Sequence, residues 1–396
     1  MAANDLKSGT WYWAGADQIL SSLTNMVFVV LASRQLGVSG FGSVAVVQSV
    51  YFVLLTLSRS WLVEPALVGE GKNGSFGRMF GRVLMLGSVA GFVGTLAAIV
   101  LPWGELPLLV LVLPMPLLLA HDAVRAVSVL RDGARTAFRL DLGWLTLLAV
   151  AVFVGQPSSP SGLLLCWSGS GAASLLLGNG ITFVRDVRES THVHTWRDVG
   201  SSAHWNGFEQ AVPLLAAQLT PASIAFASGL EAAGYFRAGQ ALVAPLGTLL
   251  LFGRLYGLPV ALQRGSGRSL RLIGMGLVSV AVLWGIGLLM VPTGLGERLL
   301  GSVWVGAKMV AVVLCVNRAI LALVLPRQIH LRSKGLSHLS AKAWVVPSVG
   351  MVVAILVLGG SLGALGAAWI LVVAAAGYAA LLAFSDRVYE GTPTDV

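Results

Sequence analysis

The chain has 396 residues, 56% hydrophobic and only 11% charged, at a mean hydropathy of +0.83. A soluble domain carries about 25% charged residues, so this composition excludes a soluble globular protein and points to a polytopic membrane protein. The net charge of +9 fits Lys and Arg gathered in cytoplasmic loops rather than a nucleic-acid-binding surface.

The apolar stretches reach about 20 residues or more, enough to cross a hydrocarbon core about 30 Å thick as helices. Strands would show about 10 residues of alternating polarity, which is missing here, and helices satisfy their backbone groups within each span. The expected spans are 10–33, 41–67, 79–101, 106–130, 138–155, 161–184, 201–229, 232–260, 271–292, 303–326, 342–359 and 362–384. No short apolar core with a small-residue cleavage site opens the chain, so span 1 is expected to remain as a signal anchor. Cys166 and Cys315 fall inside apolar runs and read as packing residues.

Orientation follows from the basic residues. With the N-terminus inside, the cytoplasmic segments carry Lys72, Arg78 and Arg82; Arg131, Arg135 and Arg139; Arg185, Arg188 and Arg197; Arg264, Arg268 and Arg271; Arg327, Arg332, Lys334 and Lys342; and Arg387. The opposite segments carry few, Arg34 and Arg298 with Arg237 and Lys308 near span ends, and "PWGELP" (102–107) and "GQPSSPSG" (155–162) carry none. The bias predicts both termini in the cytoplasm and a multi-pass protein of the inner (cytoplasmic) membrane.

The chain repeats itself. "WYWAGADQ" (11–18) and "AHWNGFEQ" (203–210) share Trp-x-Gly-x-acid-Gln, so Trp13, Asp17 and Gln18 recur 192 positions later as Trp205, Glu209 and Gln210. Gly42 and Gln48 recur at the same offset as Gly234 and Gln240. Two six-span lobes are expected, 1–190 (spans 1–6) and 191–396 (spans 7–12), related by an axis along the membrane normal. The polar boundary "RDVRESTHVHTWRD" (185–198) contains His192 and His194, which read as linker; no metal site is expected.

"LASRQLGVSGFGSVAVVQS" (31–49), "LEAAGYFRAGQALVAPL" (230–246), "ERLLGSVWVGA" (297–307) and "LGALGAAWIL" (362–371) resemble elements of bacterial polysaccharide flippases. That family sits in a larger group with lipid II flippases and multidrug and toxic-compound extrusion proteins. The resemblance implies an all-α, V-shaped, alternating-access transporter without a cofactor. It implies movement of an undecaprenyl-pyrophosphate-linked glycan from inner to outer leaflet. Its partners would be the lipid-linked glycan, membrane lipid and a glycan polymerase or glycosyltransferases. The rival reading is an ion-coupled exporter of drugs or small metabolites on the same fold, which needs an acidic cavity. A membrane enzyme would need a catalytic loop, triad or metal cluster, and none is legible.

An ionisable side chain inside a span costs on the order of 3 kcal/mol and needs a reason. Asp17, Ser21, Thr24 and Asn25 share one face of span 1, widened by Gln18 and Ser22. We expect Asp17, Gln18, Ser21, Asn25, Gln48, Glu209, Gln210, Gln240 and Asn317 to line a polar cavity; hydrogen bonding between helices is the alternative. Pro213 and Pro221, with Gly207 and Gly229, are candidate bends of span 7. Arg suits a pyrophosphate because it joins charge to paired donors. Arg59, Arg254 and Arg318 are the candidate headgroup ligands, and Arg34 and Arg237 can take the headgroup near the outer face. Arg59, Arg125 and Arg254 can instead snorkel; Arg318, mid-span beside Asn317, escapes that alternative best. Among the acids Asp17, Glu64, Asp122, Asp141 and Glu209, Asp122 and Glu64 are placed to pair with Arg125 and Arg59. Asp17 and Glu209, equivalent by the repeat, are the candidates for coupling a proton or sodium ion.

Overall fold

The computed structural model describes residues 9–63, 75–100, 113–131, 134–188, 201–251, 253 and 267–390. They form two compact units, Met1–Gly200 and Ser201–Val396. The described residues are helical apart from short turns, with no strand.

Unit 1 contains α1 (Gly9–Ser58), a π-helical segment (Arg59–Val63), α2 (Ser75–Val100), α3 (Met115–Arg131), α4 (Ala134–Gly155) and α5 (Pro160–Arg188). Unit 2 contains α6 (Ser201–Ser228), α7 (Leu230–Leu242), α8 (Gly267–Met290), α9 (Thr293–Leu300), a 3-10 turn (Gly301–Val303), α10 (Trp304–Ser333) and α11 (Ser337–Glu390). Seven helical stretches among the described residues are long and apolar enough to cross a membrane. Two of them, Ala16–Val63 and Ser337–Ser385, run to 48 and 49 residues, about twice the length one crossing needs.

Each of those double-length runs turns at a glycine: Gly37 (φ 67°, ψ −177°) in α1 and Gly363 (φ 58°, ψ −159°) in α11. Gly229, between α6 and α7, has φ 90° and ψ 170°. This backbone region is essentially reserved for glycine. A Cβ at these three positions would meet nothing within 4 Å, so conformation rather than space demands the residue. Gly229 follows Gly37 by 229 − 37 = 192 positions, the offset of the sequence repeat. The expected loop at 34–40 is therefore a helix corner. Gly229 likewise ends α6 rather than bending it, and the helix continues through Pro213 and Pro221. The expected start of span 4 at 106 and end of span 8 at 260 lie outside the described residues.

Buried aromatic residues tie unit 1 together. Trp167 on α5 packs edge-on to Tyr51 of α1, with ring centroids 5.1 Å apart, and lies 5.5 Å from both Phe28 and Trp144. The Trp144 indole donates to the Trp167 carbonyl at 3.0 Å. In unit 2, Trp344 stacks on Tyr378 at 3.9 Å, joining the two halves of α11. Gln328 of α10 donates to the Tyr378 hydroxyl at 2.6 Å, and Ser340 shares it at 2.8 Å. Such bonds let polar side chains sit between helices in lipid.

Candidate functional site

Five ionisable side chains from four helical segments meet inside unit 1. Asp17 comes from the start of α1, Arg59 from the π-helical segment, Asp122 and Arg125 from α3, and Asp141 from α4. All but Arg59 are buried. The Arg125 guanidinium grips Asp17 from Nη2 at 2.7 Å and from Nε at 3.0 Å, and reaches the Gln18 side-chain oxygen at 3.4 Å. Arg59 donates from Nε to Asp122 at 2.7 Å and pairs again through Nη2. Asp122, three residues before Arg125, is 3.9 Å from it. The expected Asp122–Arg125 pairing is thus the looser one, and Arg59 takes Asp122 from across the unit. Glu64, the other acid considered for Arg59, lies outside the described residues.

Asp141 completes the group. Its Oδ2 is 3.0 Å from Arg125 Nε but makes no hydrogen bond. Nε carries one hydrogen, and Asp17 holds it. Two guanidiniums therefore face three carboxylates, and one carboxylate oxygen is left open. Beside the group, buried His121 lies edge-on to Trp144 at 4.9 Å, its Nε2 without a hydrogen-bond partner.

Unit 2 holds a simpler version. Buried Glu209 on α6 accepts Arg332 Nε of α10 at 2.9 Å. In both units, then, the acid of the repeated motif pairs with an arginine from another helix, α3 in unit 1 and α10 in unit 2. The sequence reading ends span 10 at 326 and leaves Arg332 in the segment after it. The helix runs on to Ser333, since its last turns pack Leu325 and Ile329 on Leu270 of α8. The repeat offset of 192 carries Arg125 onto Asn317 rather than Arg332, so the repeat marks the acid of this pair and not its arginine.

The other expected site residues fall as follows. Arg318 lies mid-way along α10; its Nε is buried with no hydrogen-bond partner, and no carboxylate among the described residues pairs with it. Asn317 beside it is buried and donates to the Leu371 carbonyl of α11 at 2.9 Å, a tie between helices. Arg237 reaches Gln240 at 3.4 Å, and Gln240 also donates to the Ala217 carbonyl at 3.4 Å. Asn25 donates to the Ser21 carbonyl one turn back at 3.1 Å, and Gln48 is buried. Arg34 is exposed, three residues before the Gly37 corner. Arg254 and the Gln210 side chain lie outside what is described.

No protein-family model and no curated protein sequence matches the chain. Solved structures do. An inward-facing multidrug resistance MATE family transporter of the MOP superfamily matches with a TM-score of 0.70 at 13% identity, over 94% of this chain and 96% of that one. The lipid II flippase MurJ, in an inward closed conformation, matches with a TM-score of 0.71 at 9% identity, over 94% of this chain and 87% of that one. The fold is that of the MATE and MurJ transporters. A MOP superfamily transporter from Pyrococcus furiosus, described with the words "reverse polarity of binding pocket suggests different function", matches with a TM-score of 0.61 at 12% identity, over 96% and 94%. One fold thus carries proteins named for different cargoes, and the choice among them rests on the interior charges.

Proposed function

We propose that this chain is a flippase that moves a polyprenyl-pyrophosphate-linked oligosaccharide from the cytoplasmic to the outer leaflet by alternating access. Arg318 is the observation that carries the proposal. A guanidinium placed mid-way along a membrane helix is costly, and such groups ordinarily find a carboxylate or mark a transport path. No carboxylate among the described residues pairs with Arg318, and a bound phosphate would supply acceptors with bidentate geometry. By contrast, Arg332 of the same helix is held by Glu209. A carrier of organic cations gains nothing from a guanidinium at that depth.

The charge group of unit 1 sets three carboxylates against two guanidiniums, which suits a coupling cation. Asp17, the acid of the repeat in unit 1, is the candidate for that coupling, held by Arg125. Glu209 and Arg332 are the corresponding pair in unit 2. Glycan polymerase or glycosyltransferase partners belong to this proposal as suppliers and users of the lipid-linked glycan.

The test is equilibrium binding of undecaprenyl pyrophosphate to the purified protein in detergent. Hydrogen bonds to charged groups are worth about 1.5–3 kcal/mol, so Arg318→Gln is expected to weaken binding by about tenfold or more. Binding equal to wild type would remove Arg318 from the headgroup site. Tight binding of an organic cation with none of the pyrophosphate would favour the drug-exporter reading.

A further inference from the structure

α8 and α10 pack antiparallel in unit 2. Gly274 sits against Ala322 and Pro326, and Gly285 against Cys315. That register brings Arg268 and Arg271, at the start of α8, level with His330 and Arg327 near the end of α10. Lys334 follows in the turn that leads to α11. All five basic side chains are exposed. Between residues 267 and 342 the sequence has a single acid, Glu297, which lies in α9, near the other end of this helix pair.

The face these residues occupy is distinct from the packed sides of α10. Leu325 and Ile329 meet α8, Gln328 meets Tyr378 of α11, and Arg332 reaches Glu209 of α6. Arg327, His330 and Lys334 recur at i, i+3 and i+7 on the side left open. The same side continues along the helix as Leu323, Val316, Met309 and Val305, which are 61%, 41%, 47% and 59% exposed. From Val305 to Leu323 is 18 residues, about 27 Å at 1.5 Å per residue, close to the thickness of the hydrocarbon core. The stripe is apolar over that length and basic over the two turns beyond it.

We propose that this α8–α10 face binds an anionic glycerophospholipid. Arg268, Arg271, Arg327, His330 and Lys334 hold the headgroup phosphate, and an acyl chain lies along the apolar stripe. The basic end is the one that the sequence's charge bias assigns to the cytoplasm, where a leaflet's anionic lipids attract each basic residue. The occupant is a bulk lipid rather than cargo because the stripe faces away from the side where Arg332 meets Glu209. A topogenic charge bias alone requires only that basic residues be present near the ends of spans. It does not require them to converge from two helices onto the end of one apolar stripe.

The experiment adds phosphatidylglycerol or phosphatidylcholine to the full-length protein in detergent and reads lipid occupancy by native mass spectrometry and thermal stabilisation by tryptophan fluorescence. Phosphatidylglycerol is expected to bind and stabilise, and phosphatidylcholine to do so far less. A basic residue near an anionic surface is worth about 1 kcal/mol, or about fivefold, so R268Q/R271Q is expected to weaken phosphatidylglycerol binding by about 30-fold. R135Q/R139Q, which removes two exposed arginines from unit 1, is the control and is expected to leave binding unchanged. Equal binding of phosphatidylcholine, an R268Q/R271Q variant that binds like wild type, or an equal loss in the control would each overturn the proposal. None of these readouts depends on what the protein transports.

Discussion

Arg125→Met is the sharpest probe of the unit 1 charge group. Methionine keeps the length and apolar stem of the side chain and removes only the guanidinium. Asp17, 4% exposed, then loses its ion-pair partner, and Asp141, 2% exposed, loses its nearest cation. Breaking a buried pair by deleting one member costs about 3–5 kcal/mol, because the remaining charge stays out of water. The Asp17→Asn change made on top of R125M replaces that stranded charge with a neutral amide and should recover a large part of the loss. The two changes are therefore expected to couple by about 2–3 kcal/mol, the upper part of the range for directly contacting residues. Reversible SDS unfolding in mixed micelles, followed by tryptophan fluorescence, reads all four corners of the cycle. An R125M protein within about 1 kcal/mol of wild type, or a double variant no better than R125M, would refute the account of this group.

Other outcomes follow from single features. Glu209→Gln keeps the shape but removes the charge opposite Arg332, and should cost about 2 kcal/mol in the same unfolding assay, the value of a charged hydrogen bond. Gly37→Ala and Gly229→Ala force a Cβ into a backbone region that L side chains avoid, and each should cost about 1–3 kcal/mol. Gly276→Ala, on α8 with open space around it, should be neutral or stabilising by up to about 1 kcal/mol; if it costs as much as the corner glycines, backbone conformation is not their reason.

The helical membrane architecture was legible in composition and in apolar run length, because lipid leaves the backbone few alternatives. The breaks at 34–40 and 360–361 were legible too, but not that each is a helix corner turning on one glycine, Gly37 and the nearby Gly363, at a φ near 60°. Span 10 is expected to end at 326, yet α10 runs on to Ser333, and the pairing of Arg332 with Glu209 lies in that extension. The ionisable residues stood out because each is expensive in lipid, but their partners did not. Arg59 finds Asp122 at a separation of 63 residues and Arg125 finds Asp17 at 108, distances at which only the fold decides. The repeated acid marked both pairs, and it is the part of the candidate site that sequence came nearest to reading.

The central claim is that an unneutralised guanidinium in unit 2 serves a polyanionic lipid headgroup. The direct measurement is translocation of a fluorescent undecaprenyl-pyrophosphate-linked glycan in proteoliposomes, with unfolding of the same preparations recorded alongside. Arg318 has no hydrogen-bond partner to lose at Nε, so the account predicts that Arg318→Gln stops translocation while its stability stays at or above that of wild type. Translocation by Arg318→Gln at the wild-type rate would contradict it.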